Sequence, residues 1–322
     1  MFRIIAAIVV LPIVVLGAQP ATADYPERAV RVIVPSAPGG GPDASMRVVA
    51  AELSQQMGKQ FVVDNRPGGS GSIGFEIITR AAPDGYTVGY GTSGTLAINP
   101  GILPGWPYKA GRDFQPVVLS HVSTFILAVT TSLPVKSVTE LIAHARKNPG
   151  KLLIAAGGNG GAQHLAGALF QQMTGTQMPL IQYKGMQQGI TDMIGGQVHL
   201  VFDGANSIGT HVRAGRVRGL AVTTAKRSAA FPELPTIAES GVPDYVVSTW
   251  SGLIAPSRVS NAILTKLNAE SNKALASAAV KEKFGVMGNE PMGGTAEAFA
   301  ALIKRDAAKW ATVIKDAGIK PH

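Results

Sequence analysis

Residues 31–53 read RVIVPSAPGGGPDASMRVVAAEL, and residues 151–173 read KLLIAAGGNGGAQHLAGALFQQM. Each is a short apolar run, a glycine-rich turn, and then apolar residues at helical spacing. In the first, Met46, Val49, Ala50, Leu53 and Met57 put one apolar face down from Pro42 onward. Strand, turn and helix in that order predict a βαβ unit with parallel strands covered by helices. Meeting the device twice raises the question of what two such turns would hold between them.

Outward from these stretches the alternation continues. QFVVD (60–64) is a strand, and NRPGGSGS (65–72) is a glycine loop that enters a helix through Ile73, Ile77 and Ile78. Pro83-Asp84-Gly85 turns the chain into the strand YTVGYGTSG. A second series runs from FILAVT (125–130) through a helix at 137–147, the strand KLLIAA and a helix at 163–173. It goes on through PLIQY, a helix at 186–194 and VHLVF. Near VVSTWSGLIAP (246–256) the pattern gives way to long helices at 261–276 and 296–314. The organisation expected is two α/β lobes: residues 24–123 with 247–322 as the first, and residues 124–246 as the second. The chain then crosses between lobes twice, which makes a hinge.

A length of 322 residues suits two lobes, and the hydrophobic content of 46% suits a sizeable core. The net charge of +9 favours anionic partners. The basic residues are scattered and aromatics are few, so nucleic acid is not expected as a partner. Arg3, the apolar run IIAAIVVLPIVVLGA and Ala21-Thr22-Ala23 have the form of a secretory signal peptide cleaved after Ala23. Residues 1–23 are therefore expected to be removed, leaving roughly +8. Cysteine is absent, which excludes disulfides, thiolate metal sites and a lipid-modified cysteine. The expected product is periplasmic, exported and not lipid-anchored, without metal or other cofactor.

A glycine turn that opens a helix aims unpaired N–H groups and the positive end of the helix dipole at one point, and such a point attracts anions. No P-loop pattern occurs. Gly39-x-Gly41-x-x-Ala44, with Asp64 ending the next strand, matches the dinucleotide fingerprint. It defines the alternative reading, an exported NAD(P)-dependent oxidoreductase. Against it, Pro35-Ser36-Ala37-Pro38 separates strand from glycines, and Pro42 removes one N–H. Asp43, in the first turn of the first helix, is expected to support the loop, because a carboxylate aimed into an anion site repels its ligand. The second turn, Gly157 to Gly161, carries no acidic partner, and its helix begins without a carboxylate. GTSGT and SGSIG each miss the nucleophile elbow by one glycine, and the histidines show no zinc spacing. These patterns favour a binder over an enzyme.

From YPERAVRVIVPSAPGGGPDASMR (25–47) the sequence closely resembles the substrate-binding proteins of tripartite tricarboxylate transporters, often called the Bug family. The resemblance continues through VVDNRPGGSGSIG, APDGYTV, INPGI, ELIAHARKNPGKL, HLAG, YKG and LAVTTAKR. LPTIAESGVP, EPMGGTAEAF and KWATVIKDAGIK complete it, so it covers essentially the whole chain after the leader. It implies two lobes of the periplasmic-binding-protein type II kind, closing on a small organic carboxylate: a di- or tricarboxylate or an aromatic acid.

Carried over residue by residue, the first gripping loop spans Ser36, Pro38, Gly39, Gly40, Gly41 and Asp43. The second spans Gly157, Gly158, Asn159, Gly160 and His164. Thr92, Ser93, Tyr183, Lys184, Phe202 and Asp203 are expected as cleft walls. Gly157 stands where Ser is common in the family, Ala168 where Glu is frequent and Gln188 where Pro is frequent. The partners implied are the carboxylate and a membrane permease of the tripartite kind, or a sensor protein. A monomer suits such a shuttle.

Overall fold

The computed structural model describes residues 25–158, 160–183 and 185–319. The leader with Ala23, Asn159 and Lys184 lie outside the described residues. The first series begins with β1 (Val30–Val34), α1 (Gly41–Met57), β2 (Phe61–Asn65) and α2 (Ser72–Arg80). It continues with β3 (Thr87–Thr92), α3 (Asn99–Ile102) and β4 (Phe114–Thr130). The second comprises α4 (Val138–Lys147), β5 (Ile154–Gly157), α5 (Ala162–Thr174) and β6 (Leu180–Tyr183), followed by α6 (Met186–Ile194), β7 (Leu200–Gly204), α7 (Ala205–Arg213) and β8 (Val217–Val222). The chain then returns through β9 (Ser248–Pro256), α8 (Asn261–Ala276), α9 (Ala278–Val286), β10 (Asn289–Pro291) and α10 (Ala296–Asp316).

The strands follow the order β2-β1-β3-β9-β4-β7-β5-β6, with β8 and β10 also pairing with β4. Parallel pairing holds for β1 with β2 and β3, and for β5 with β6 and β7, as the βαβ pattern predicts. The centre departs from that pattern. β9 runs antiparallel to β3 and to β4, and β4 runs antiparallel to β7, β8 and β10. Strands that carry the chain from one lobe to the other need no crossover helix, so they are free to pair antiparallel. β4 also starts well before the FILAVT run. Its first half, Phe114 to Thr124, pairs with β9, and its second half, Phe125 to Thr130, pairs with β7 and β8.

Burial follows the periodicities. α1 lays Met46, Val49, Ala50 and Leu53 against Val30, Val32 and Val34 of β1, with Leu267, Leu275 and Phe284 completing that layer. At about 1.5–3 kcal/mol per large apolar side chain buried, this packing fixes where the α1 N-terminus points. α10 seals the central layer: Phe299 meets Trp250 edge-on with ring centroids 5.6 Å apart, and the Trp250 indole Nε1–H donates to Asp306 Oδ2 at 2.7 Å. β5 is shorter than KLLIAA suggests, because Leu153 N–H turns aside to His199 Nδ1 at 3.0 Å. Among the described residues, no helix is long and apolar enough to cross a membrane.

Candidate functional site

In open parallel sheets, ligands bind beyond the carboxyl ends of the strands. Here β1 runs into the 35–40 loop and α1, β3 into Thr92 and Ser93, β5 into the 157–161 loop and α5, and β7 ends at Asp203 and Gly204. All four ends open on one cavity of about 710 Å³, within the range of small-molecule sites. Gly39 and Gly41 line it from the first loop, and Gly160, Gly161 and Ala162 from the second. The two glycine turns therefore share a single crevice between the lobes.

Neither helix N-terminus carries a side-chain cap, with Gly40 and Gly161 in the cap positions. First-turn N–H groups of both helices are left without intrahelical acceptors, and the dipoles add positive potential at the same place. Gly39 adopts φ 78°, a left-handed conformation that aims its N–H inward at Asp43 Oδ2, 2.8 Å away. Asp43 also pairs with Arg47 at 3.0 Å. Burial alone raises its pKa, but the bonds from Arg47 and Gly39 outweigh that and hold it below the usual carboxylate range. Its carboxylate braces the loop from behind and does not line the cavity.

His164 plays the corresponding part in the second loop. Its Nδ1 accepts from Gly160 N–H at 2.9 Å, and burial depresses its pKa, so the ring is a neutral acceptor. It is buried behind the loop rather than in the cavity wall. Gly160, at φ 71°, lies against Ile102 of α3, where the two lobes meet.

Thr92, Ser93 and Asp203 reach the cavity. Thr92 and Thr95 bond reciprocally, each backbone N–H to the other's hydroxyl, at 3.0 and 3.2 Å. This closes the turn from Thr92 to Thr95 at the start of a π-helical segment, Gly94–Ile98, with Ser93 in the cavity wall. Asp203 is 3% exposed, and its Oδ1 accepts from Gln163 at 3.3 Å. Its Oδ2 has no hydrogen-bond partner among the described residues. Burial raises its pKa against the opposing hydrogen bonds.

Other expected positions sit outside the cavity wall. Phe202 is fully buried against Phe170 and Tyr245, at 5.5 and 6.3 Å between ring centroids, because successive strand residues face opposite ways. The Tyr183 hydroxyl donates to Asp192 Oδ2 at 2.8 Å, and Tyr183 does not line the cavity. Pro38 borders a shallow outer depression, and Ser36, Gly40, Gly157 and Gly158 do not line the cavity. A Cβ at Gly157 would stand 3.0 Å from Met186 Cγ, so Met186 occupies the room a serine there would need. Asp64, required by the dinucleotide reading, is ion-paired to Arg31 and Arg66 and lies away from the cavity.

Sequence reasoning missed a polar wall made by β4, β9 and β10. His121, Ser123 and Phe125 reach the cavity at alternate positions of β4, joined by Thr249, Ser251 and Asn289. The period-2 alternation was there to find, but the strand was read as starting at Phe125. Among the described residues lining the cavity there is no Lys or Arg, and Asp203 is the one carboxylate.

Two α/β lobes around a cleft at strand ends, with paired helix N-termini facing into it, define a solute-binding protein of the periplasmic type. Residues 45–319 match the family described as tripartite tricarboxylate transporter family receptor. The chain is 35% identical to Protein BugT of Bordetella pertussis over 322 residues, covering 99% of each. Among solved structures it resembles R. palustris Rpa4515 with adipate, with 38% identity and TM-score 0.77 over 93% of this chain and 100% of that one. It also resembles the periplasmic binding protein BugD, with 30% identity, TM-score 0.73, and coverage of 92% and 100%. MatC from Rhodopseudomonas palustris with bound malate is a further likeness, with 26% identity, TM-score 0.72, and coverage of 90% and 100%. The chain belongs to the tripartite tricarboxylate transporter receptor family.

Proposed function

We propose that this protein captures a small organic carboxylate between its lobes in the periplasm and hands it to a tripartite tricarboxylate-type permease. Presentation to a sensor is the variant outcome. The observation that carries the reading is the convergence of two uncapped helix N-termini, α1 and α5, on one cavity from opposite lobes. The adipate and malate held by its structural relatives support the ligand class.

A charge-assisted hydrogen bond contributes about 1.5–3 kcal/mol and a partly buried helix end up to about 2. Four or five such contacts, less the cost of immobilising the ligand, reach the roughly 8 kcal/mol of a micromolar binder. With each lobe, 24–123 plus 247–322 and 124–246, supplying half the contacts, the ligand favours the closed form, which a permease can distinguish from the open one. Thermal unfolding of the monomeric protein with a broad panel of organic acids tests this. A ligand at a hundred times its Kd adds about 2.7 kcal/mol and raises the midpoint by several degrees. A panel that leaves the midpoint unmoved rejects the reading.

A further inference from the structure

The wall opposite the glycine loops is built from neutral groups that already engage one another. His121 is 4% exposed, with its ring edge-on to Phe284 at 5.2 Å. Its Nδ1 lies 3.1 Å from the Tyr90 hydroxyl. The Tyr90 hydroxyl, whose pKa burial raises, also neighbours Ser120 and Ser251, and at this distance it can donate to Nδ1. With that hydroxyl donating, the neutral imidazole carries its proton on Nε2, which has no hydrogen-bond partner among the described residues, on a residue that lines the cavity.

Beside it, Ser123 Oγ donates to Asn289 Oδ1 at 2.6 Å, across paired strand positions. Asn289 Nδ2 in turn donates to Ser45 Oγ at 3.0 Å. With its proton committed, Ser123 shows lone pairs to the cavity. The shelf thus sets a donor, His121 Nε2–H, beside an acceptor, Ser123 Oγ. Ser45 lies four residues along α1 from Gly41, about 6 Å of helix rise.

Resting on the carboxylate-receptor reading above, we propose that the far end of the solute is a neutral hydroxyl or carboxamide. It would be held by His121 and Ser123 on the shelf that Asn289 and Ser45 brace, one helical turn from the carboxylate cradle at Gly41. Such a group accepts from Nε2–H and donates to Ser123 Oγ. A second carboxylate would meet the serine lone pairs, no Lys or Arg lines the cavity among the described residues, and a buried anion without a partner is costly.

Calorimetry on the full chain at pH 7.5 with 6-hydroxyhexanoate, adipamate, adipate and hexanoate tests the assignment, since these acids share a carboxylate and a similar span. The hydroxy acid and half-amide should bind about tenfold tighter than hexanoate and tighter than adipate. His121→Phe should bring that ratio close to one, and Ser123→Ala should lower it even if the first variant does not fold. Adipate binding tightest, or a ratio unchanged in Ser123→Ala, overturns the shelf while leaving the receptor reading intact. Absence of binding by all four, and by a wider acid panel, overturns both.

Discussion

The Thr223 hydroxyl donates to the Val247 carbonyl at 2.6 Å, while Val247 N–H donates back to the Thr223 carbonyl at 2.8 Å. Thr223 N–H also reaches Phe125 O at 3.0 Å. Fully buried Thr223 therefore clasps β4 at Phe125 and, at Val247, the residue leading into β9, the two points at which the chain passes between lobes. Thr223→Val keeps the shape and removes one donor, leaving the Val247 carbonyl short of a bond. Urea unfolding should show a loss of about 1–2 kcal/mol, and amide exchange near Phe125 should quicken. No change in either would mean the clasp is redundant.

Gly160 answers to two constraints at once. Its φ of 71° is left-handed, and an added Cβ would overlap Ile102 Cδ1 across the cleft. Gly160→Ala should destabilise by about 1–3 kcal/mol and weaken organic-acid binding by tenfold or more, because the second loop can no longer seat against α3. Calorimetry and urea titration read the two effects separately.

Acid sensitivity should trace to His121, whose pKa burial lowers to about 4 from an unfolded value near 6.5. The folded state binds fewer protons between those values, so stability is complete above about pH 6.5 and falls as pH drops toward 4, by about 3 kcal/mol in all. His164, also depressed by burial, adds in the same direction. Denaturant unfolding at pH 7.5 and 4.5 should show a smaller difference for His121→Phe than for the parent chain. An equal difference would place the acid sensitivity elsewhere.

Asp203 has the opposite sign. A raised folded pKa means that its favourable contribution is present at low pH and is lost as pH rises through that pKa. Asp203→Asn should therefore raise neutral-pH stability, by about 1–2 kcal/mol, with the difference from the parent closing in acid, where Asp203 is itself neutral. A midpoint at pH 7.5 equal to or below that of the parent would contradict the account.

Much of this was legible in the sequence. The strand–glycine–helix devices and the long helix at 261–276 follow from periodicity, while the placing of two turns on one crevice was what the resemblance to the Bug family implied. The supporting part of Asp43 followed from the sign of its charge at a helix N-terminus. The antiparallel centre was not legible, since βαβ alternation says nothing about strands that cross between lobes. Phe202 packs into the core while its neighbour Asp203 reaches the cavity, because alternate strand residues face opposite ways. The far wall went unseen because Asn289 and Ser123 lie 166 residues apart and only tertiary pairing unites them.

β4 belongs to the sheets of both lobes over its 17 residues. A continuous ladder of that kind resists the free swivel that a slack connecting loop would permit. Opening and closing must then be taken up as torsion within strands, with the amplitude capped by how far their hydrogen bonds can shear. A jaw joined in this way would work as a stiff spring with one resting angle.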